Sequence, residues 1–226
     1  MKSLIFLIFT VSLFAQNSGK VTYKVLMPIS DKAIGSESEL FFNNVKKKGE
    51  QYTYVLDFNQ TQSHFYLNDM LVDNSTDGTE INNIALILAG MENFYDSNTQ
   101  KSIDVNKSGV LLEGKTKINW VIFTESKMIS NYVCYKAEFT KSYKSHNGND
   151  VTEIITAWFA PVLPYQYGPK GYNGLPGLVL ELNEKYVTFF VDVIDLNKKQ
   201  LGINFPKGKV ISIEEYMKNS QFLIKK

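Results

Sequence analysis

The run Gly168-Pro169-Lys170-Gly171-Tyr172-Asn173-Gly174-Leu175-Pro176-Gly177-Leu178-Val179 reads as a rigid turn feeding an apolar strand. Pro176 fixes its own φ and holds Leu175 extended. Pro followed by Gly suits positions i+1 and i+2 of a type II turn, with Gly177 expected at positive φ. Leu178 to Leu182 is then a strand. Upstream, the pair Trp158-Phe159 closes a strand running from Val151 to Ala160. Downstream, Asn183-Glu184-Lys185 makes a hairpin turn, and Val187, Phe189, Val191 and Val193 alternate along the next strand.

The same alternation recurs toward the N-terminus. Val21, Tyr23 and Val25 share one face of a first strand, and Leu40 and Phe42 mark a second. Tyr52, Tyr54, Leu56 and Phe58 share a face of a third, which turns at Asn59-Gln60 and returns through Phe65 and Leu67 as a hairpin. Val133, Tyr135, Ala137 and Phe139 alternate with Cys134, Lys136 and Glu138, and the turn His146-Asn147-Gly148-Asn149 pairs that strand antiparallel with 151–160. Lys46-Lys47-Lys48-Gly49 reads as a solvated hairpin turn that protects a sheet edge. Two helices are expected. Glu80 to Phe94 places Ile84, Ile87, Leu88 and Met91 on one stripe, and Ser212 to Phe222 opens with a serine cap and the acidic Glu214-Glu215. The expectation is a mainly β single domain: a large curved antiparallel sheet, bowl or half-open barrel or sandwich, with one or two helices.

Trp158-Phe159, Pro164, Gly168-Pro169 and Tyr172 through Val179 together resemble the GLPGLI family of exported Bacteroidetes proteins. Trp120 and the block Tyr132-Val133-Cys134-Tyr135-Lys136-Ala137 fit the same resemblance, which spans the chain in order and is densest from Trp120 to Leu182. Val179 stands where the name-giving motif ends in isoleucine, a β-branched exchange that packs alike. The resemblance implies export, a β-rich fold, a cell-envelope setting and an association with outer-membrane transport. It brings no catalytic residue with it. Gly168, Pro169, Gly174, Leu175, Pro176, Gly177, Leu178 and Val179 are expected to be structural.

Composition narrows the function further. Lys2 followed by the apolar run Leu4 to Phe14 and the small Ala15 reads as a secretory signal over residues 1–15, which leaves 16–226 as the β-rich domain. The run is too short for the ~20 residues of a membrane span, and no cysteine stands near the cleavage point to take a lipid. The expected location is the periplasm or the periphery of the outer membrane, with extracellular release as a further option. A formal charge of +1 offers no basic excess for nucleic acid, and all 24 basic residues are lysine. Without arginine there is no bidentate guanidinium clamp. Cys134 is the single cysteine, so no intramolecular disulfide forms, and the thiol is expected in the core.

No motif supplies chemistry. Asp73-Asn74-Ser75-Thr76-Asp77-Gly78 begins like a calcium loop, but Ile84 stands where the closing bidentate glutamate belongs. His64 and His146 share no metal-ligand spacing, and no G-x-S-x-G occurs. The 168–177 run leads into a strand rather than a helix, so it does not cradle phosphate. No catalytic, cofactor-binding or metal-ligating set is expected. The leading function is a non-enzymatic envelope module binding an outer-membrane protein or an apolar ligand. Its expected contact is an exposed rim of Trp158, Phe159, Tyr165, Tyr167 and Tyr172. The alternative is an envelope hydrolase acting on peptide or glycan through a carboxylate pair.

Overall fold

The computed structural model describes residues 18–28, 36–68, 84, 90–115, 117–144, 148–196 and 201–224. The signal segment 1–15, the acidic stretch Asp73–Gly78 and His146 lie outside the described residues. The twelve strands are β1 (Ser18–Leu26), β2 (Thr53–Asn59), β3 (Gln62–Leu67), β4 (Glu92–Asp96), β5 (Lys101–Val105), β6 (Leu111–Glu113), β7 (Val121–Ile129), β8 (Tyr132–Lys144), β9 (Asp150–Ala160), β10 (Leu178–Asn183), β11 (Thr188–Asp195) and β12 (Val210–Ile211). They form one open sheet in the order β12-β6-β5-β4-β3-β2-β1-β11-β10-β9-β8-β7. Every neighbouring pair is antiparallel except β12 with β6. The protein is therefore mainly β, with helices α1 (Ser36–Gly49) and α2 (Ile213–Ile224) among the described residues.

Strand β1 sits in mid-sheet because its inner face is apolar throughout: Val21, Tyr23 and Val25 are buried between β2 and β11. The β2 face Tyr52, Tyr54, Leu56 and Phe58 is buried as its alternation requires. Asn59 closes the β2–β3 hairpin by accepting from the Thr61 and Gln62 amides at 3.0 and 2.9 Å. The hairpin at Glu184 forms too, its N–H reaching Val187 O at 2.8 Å. Helix α2 is capped by the Ser212 hydroxyl, which accepts from the Glu215 amide at 3.1 Å.

The sheet bends strongly. On a flat sheet β4 and β10 would stand five strand spacings apart, about 24 Å. Yet the Lys170 side chain runs past Gly90, just ahead of β4, and ends in an ion pair with Glu184, just after β10. One lysine reaches both only if the sheet closes into a half-open barrel. Its concave side is filled by the β9–β10 connection, residues 161–177. Tyr165 and Tyr167 from that connection pack on Phe58 with ring centroids at 4.5 and 5.8 Å, and Tyr167 also meets Tyr95 at 6.2 Å.

Several expectations are corrected. Leu40 and Phe42 lie in α1, not in a strand, and Lys46-Lys47-Lys48 form its last turn rather than a hairpin. Two apolar residues spaced by two cannot separate strand from helix. The deciding contacts are Phe41 and Val45, four apart on one helical face against the core. Lysines in a last turn also suit the helix dipole. The helix expected over Glu80 to Phe94 cannot run to its end, because Glu92–Asp96 is β4. Ile84 is helical, Gly90 and Met91 are not, and 80–83 and 85–89 lie outside the described residues. The type II turn is absent, since Gly177 is not among the positive-φ glycines, whereas Gly171 and Gly174 are. The Gly177 amide donates to Leu175 O at 2.8 Å, a three-residue turn centred on Pro176.

Candidate functional site

Two places in the fold carry more than packing: a buried charge cluster at one mouth of the barrel, and the outer edge of the sheet at β7. The cluster is assembled by the motif. After Gly168 the chain makes a short 3₁₀ turn, Pro169–Gly171, in which Lys170 takes φ 54° and ψ 28°. A left-handed lysine is costly, and the conformation aims its side chain along the barrel mouth. Its ammonium pairs with Glu184 Oε2, while the Tyr172 hydroxyl donates to Glu184 Oε1 at 2.7 Å. Lys115 donates to the Lys170 carbonyl at 2.8 Å and lies 4.6 Å from the Tyr172 ring centre. Asp104 on β5 accepts from Asn93 Nδ2 at 2.7 Å, and Asn93 also reaches Ser102 Oγ at 2.9 Å. Gly171 fits here for want of a side chain: a Cβ would stand 2.9 Å from Asn93 Nδ2.

The electrostatics follow from that enclosure. Burial pushes the Asp104 carboxyl up, against the pull of Lys115, the Asn93 hydrogen bond and Lys170. Burial pushes Lys115 down, with Asp104 resisting. At Glu184 burial acts upward, but the Lys170 charge and the hydrogen bonds from Lys170 and Tyr172 outweigh it, and its pKa is lowered. Burial, then the Glu184 charge, drives the Tyr172 phenol far up. Two carboxylates thus meet two ammonium groups. Both Glu184 oxygens are held by groups of the 169–172 turn, so the cluster ties the barrel-filling connection to β4, β5 and the β10–β11 hairpin. No sequence spacing announces it, because its members run from Asn93 to Glu184.

The residues singled out by sequence fall around this lock. Gly168 donates to Asn173 Oδ1 at 3.0 Å, and a Cβ on it would stand 3.0 Å from Val179 Cβ. Pro169 is buried, Gly174 is exposed at φ 94°, Pro176 is exposed, and Leu175, Leu178 and Val179 are core. Gly177 is needed for a close approach: a Cβ would lie 2.6 Å from the Ala160 carbonyl carbon and 2.9 Å from Pro161 Cα, and closer still to the Ala160 oxygen. The aromatic rim is corrected. Phe159, Tyr167 and Tyr172 are buried and Tyr165 is half-buried inside the barrel, while Trp158, next to Phe159 on β9, turns to the opposite face and is buried there under Lys127, 4.3 Å from its ring centre. Burial, more than any other cause, lifts the Tyr167 phenol to about 12. Cys134 is in the core as expected, its thiol pushed up to about 11 mainly by burial. His64 lies on β3, bonded to Glu92 at 2.6 Å and stacked on Phe94 at 4.0 Å. Among the described residues no group of side chains is arranged to hold a metal ion, and no helix is long and apolar enough to cross a membrane.

The second place is β7. Among the described residues it is the last strand of the sheet, nine residues long, and it pairs only with β8. Val121, Ile122, Phe123 and Met128 are exposed along it, and Val133 and Tyr135 are exposed beside it on β8. No sequence signal marked it, since 121–129 lacks clean alternation.

Comparison with known proteins sets the frame. Residues 147–181, spanning β9, the connection and the start of β10, match the model of a family described as "Protein of unknown function (Porph_ging)". The six residues 174–179 lie within that match. No curated protein matches. Among solved structures, "Structure of PNGF-II in P21 space group" is similar at a TM-score of 0.50 and 13% identity, over 89% of this chain and 32% of that chain. "Structure of PNGF-II in C2 space group" follows at a TM-score of 0.48 and 11% identity, with the same coverages. The chain spans about a third of the length of these structures, and the first likeness shows a shared β-rich fold.

Proposed function

We propose that this protein is a non-enzymatic docking module of the cell envelope, exported by its N-terminal segment and binding a partner protein through β7 and the adjoining face of β8. The observation that carries this reading is the open β7 edge, with four large apolar side chains exposed on a single strand. Sheet edges are ordinarily shortened, charged or covered; β7 carries Glu125 and Lys127 at its middle, but with nine residues and large apolar side chains to either side of them it is a template for another chain. A small apolar ligand is the poorer fit, because the concave face that would hold it is occupied by Tyr165, Tyr167 and Leu175 of the protein's own connection. A hydrolase would need Asp104 or Glu184 free to act, and Glu184 is engaged at both oxygens.

The test is capture from the native envelope fraction with wild-type protein and with a variant carrying Ile122→Lys and Met128→Lys. Both side chains are more than half exposed, at 51% and 62%, so the fold is retained. Loss of specific partners at an unchanged melting temperature supports docking at β7. An identical capture profile from the two proteins rejects it.

A further inference from the structure

We infer that the occupant of the β7 edge is a second copy of this chain, paired antiparallel about a two-fold axis at Ser126. This inference rests on the docking reading and names its partner.

Strand geometry fixes which groups face outward. Ser130 and Asn131 have φ 46° and 69° and form a two-residue turn between the paired residues Ile129 and Tyr132. In such a hairpin the flanking pair is hydrogen-bonded, and the bonding alternates from there. Ile129 and Lys127 therefore turn their backbone groups to β8. Met128 and Ser126 turn theirs to the open side, where no described backbone group meets them. The ladder is irregular between Ile122 and Ser126, so the regular free edge begins at Ser126.

Glu125 still meets Lys136, the neighbour of Tyr135 to which Ser126 is paired, so a two-fold axis at Ser126 sets Ser126 against its own copy and Glu125 against Lys127. Glu125 and Lys127 would occupy a non-hydrogen-bonded position, where side chains stand closest. Their present surroundings favour the match. Lys127 bonds Glu181 at 2.7 Å, and Glu125 meets Lys136 at 3.3 Å, which in turn meets Glu138 at 3.0 Å. Charges on this face thus alternate in sign up to the edge, and both terminal members keep exposed surface, 37% for Lys127 and 60% for Glu125. Two-fold pairing continues the alternation across the axis: Glu181, Lys127, then Glu125 and Lys136 of the other copy. A register one step along would set Lys127 against Lys127 or Glu125 against Glu125, which like-charge repulsion disfavours.

The test is sedimentation of the purified protein from micromolar to submillimolar concentration. Wild type is expected to dimerise. Ser126→Pro, which removes an outward donor and leaves the β7–β8 ladder intact, is expected to be monomeric. Glu125→Lys or Lys127→Glu alone places two like-charge pairs across the axis and should weaken the dimer about tenfold or more. The double exchange Glu125→Lys with Lys127→Glu should restore it. Because Lys127 also serves Glu181, melting temperatures are recorded for each variant, and restoration of the dimer by the double exchange is the result a merely structural role would not give. A wild type that stays monomeric throughout, or a dimer indifferent to Ser126→Pro and to both reversals, overturns the inference. Either result can stand beside loss of envelope capture by Ile122→Lys with Met128→Lys, in which case docking survives and only the second copy is excluded.

Discussion

Replacing Gly177 by alanine tests what the motif is for. The added Cβ would stand 2.6 Å from the Ala160 carbonyl carbon and 2.9 Å from Pro161 Cα. These are main-chain atoms at the end of β9, so no rotamer change relieves the clash. Forcing such an overlap costs about 1–3 kcal/mol, reduced by about 0.4–1 kcal/mol because alanine also stiffens the unfolded chain. A net loss of about 1–2 kcal/mol follows, read by urea unfolding with m held constant, or as a midpoint lowered about 2–4 °C for each kcal/mol in a chain of this size. Gly174 is the control. It has φ 94° and nothing within 4 Å of a Cβ, so its cost is conformational alone. Asparagine, which tolerates the left-handed region, should be milder than alanine at 174 and at least as harmful as alanine at 177. A Gly177→Ala protein within about 0.5 kcal/mol of wild type, or one rescued by asparagine, would refute the close-approach reading.

Lys170→Met strands the buried Glu184 carboxylate and should cost about 3–5 kcal/mol, with Lys170→Met and Glu184→Gln together costing less than the sum; additive losses in a double-mutant cycle would dissolve the lock. The lowered Glu184 pKa means its stabilisation is full above the unfolded carboxyl value and lost as pH falls through the folded one, so Glu184→Gln should flatten the acid limb of stability against pH. The raised Asp104 pKa has the opposite sign, its contribution greatest at low pH and lost on going up, so Asp104→Asn should steepen that limb. With its thiol at about 11 and buried, Cys134 should resist an aromatic disulfide reagent near pH 8 until denaturant is added; rapid native labelling would contradict the core position.

The sequence disclosed the parts of the fold where burial is one-sided and regular. Tyr52 to Phe58 and Val21 to Val25 alternate because one face meets the core, and those faces are where the pattern put them. It failed where other forces decide. Strands β4 and β5 bury polar Asn93, Ser102 and Asp104 on the cluster side, which erases the apolar alternation. β7 is exposed on both faces and has no pattern to show. Helix α1 rests on few buried contacts, Phe41 and Val45 among them, too sparse to outvote an apparent strand. The expected aromatic rim is buried instead, because its burial depends on how far the sheet curls, and curvature is a property of all twelve strands together.

Lys170 shows why the motif is written as it is. A non-glycine residue at φ 54° carries about 1–2 kcal/mol of backbone cost that glycine would avoid, and glycines stand within two residues on either side of it. The chain nevertheless keeps a lysine there. Its ammonium neutralises Glu184, its carbonyl receives Lys115, and its stem passes Gly90, which has room for it only because it lacks a Cβ. One strained residue thus joins the start of β4, the segment after β6 and the β10–β11 hairpin across the barrel mouth. The neighbouring glycines, Gly168, Gly171 and Gly177, let the connection press against Val179, Asn93 and Ala160 on three sides. Rings Tyr165, Tyr167 and Tyr172 are then held inside the sheet rather than offered to a ligand. With the interior filled in this way, the docking proposed for this protein falls to the outside of the sheet, where β7 is the long edge left open among the described residues.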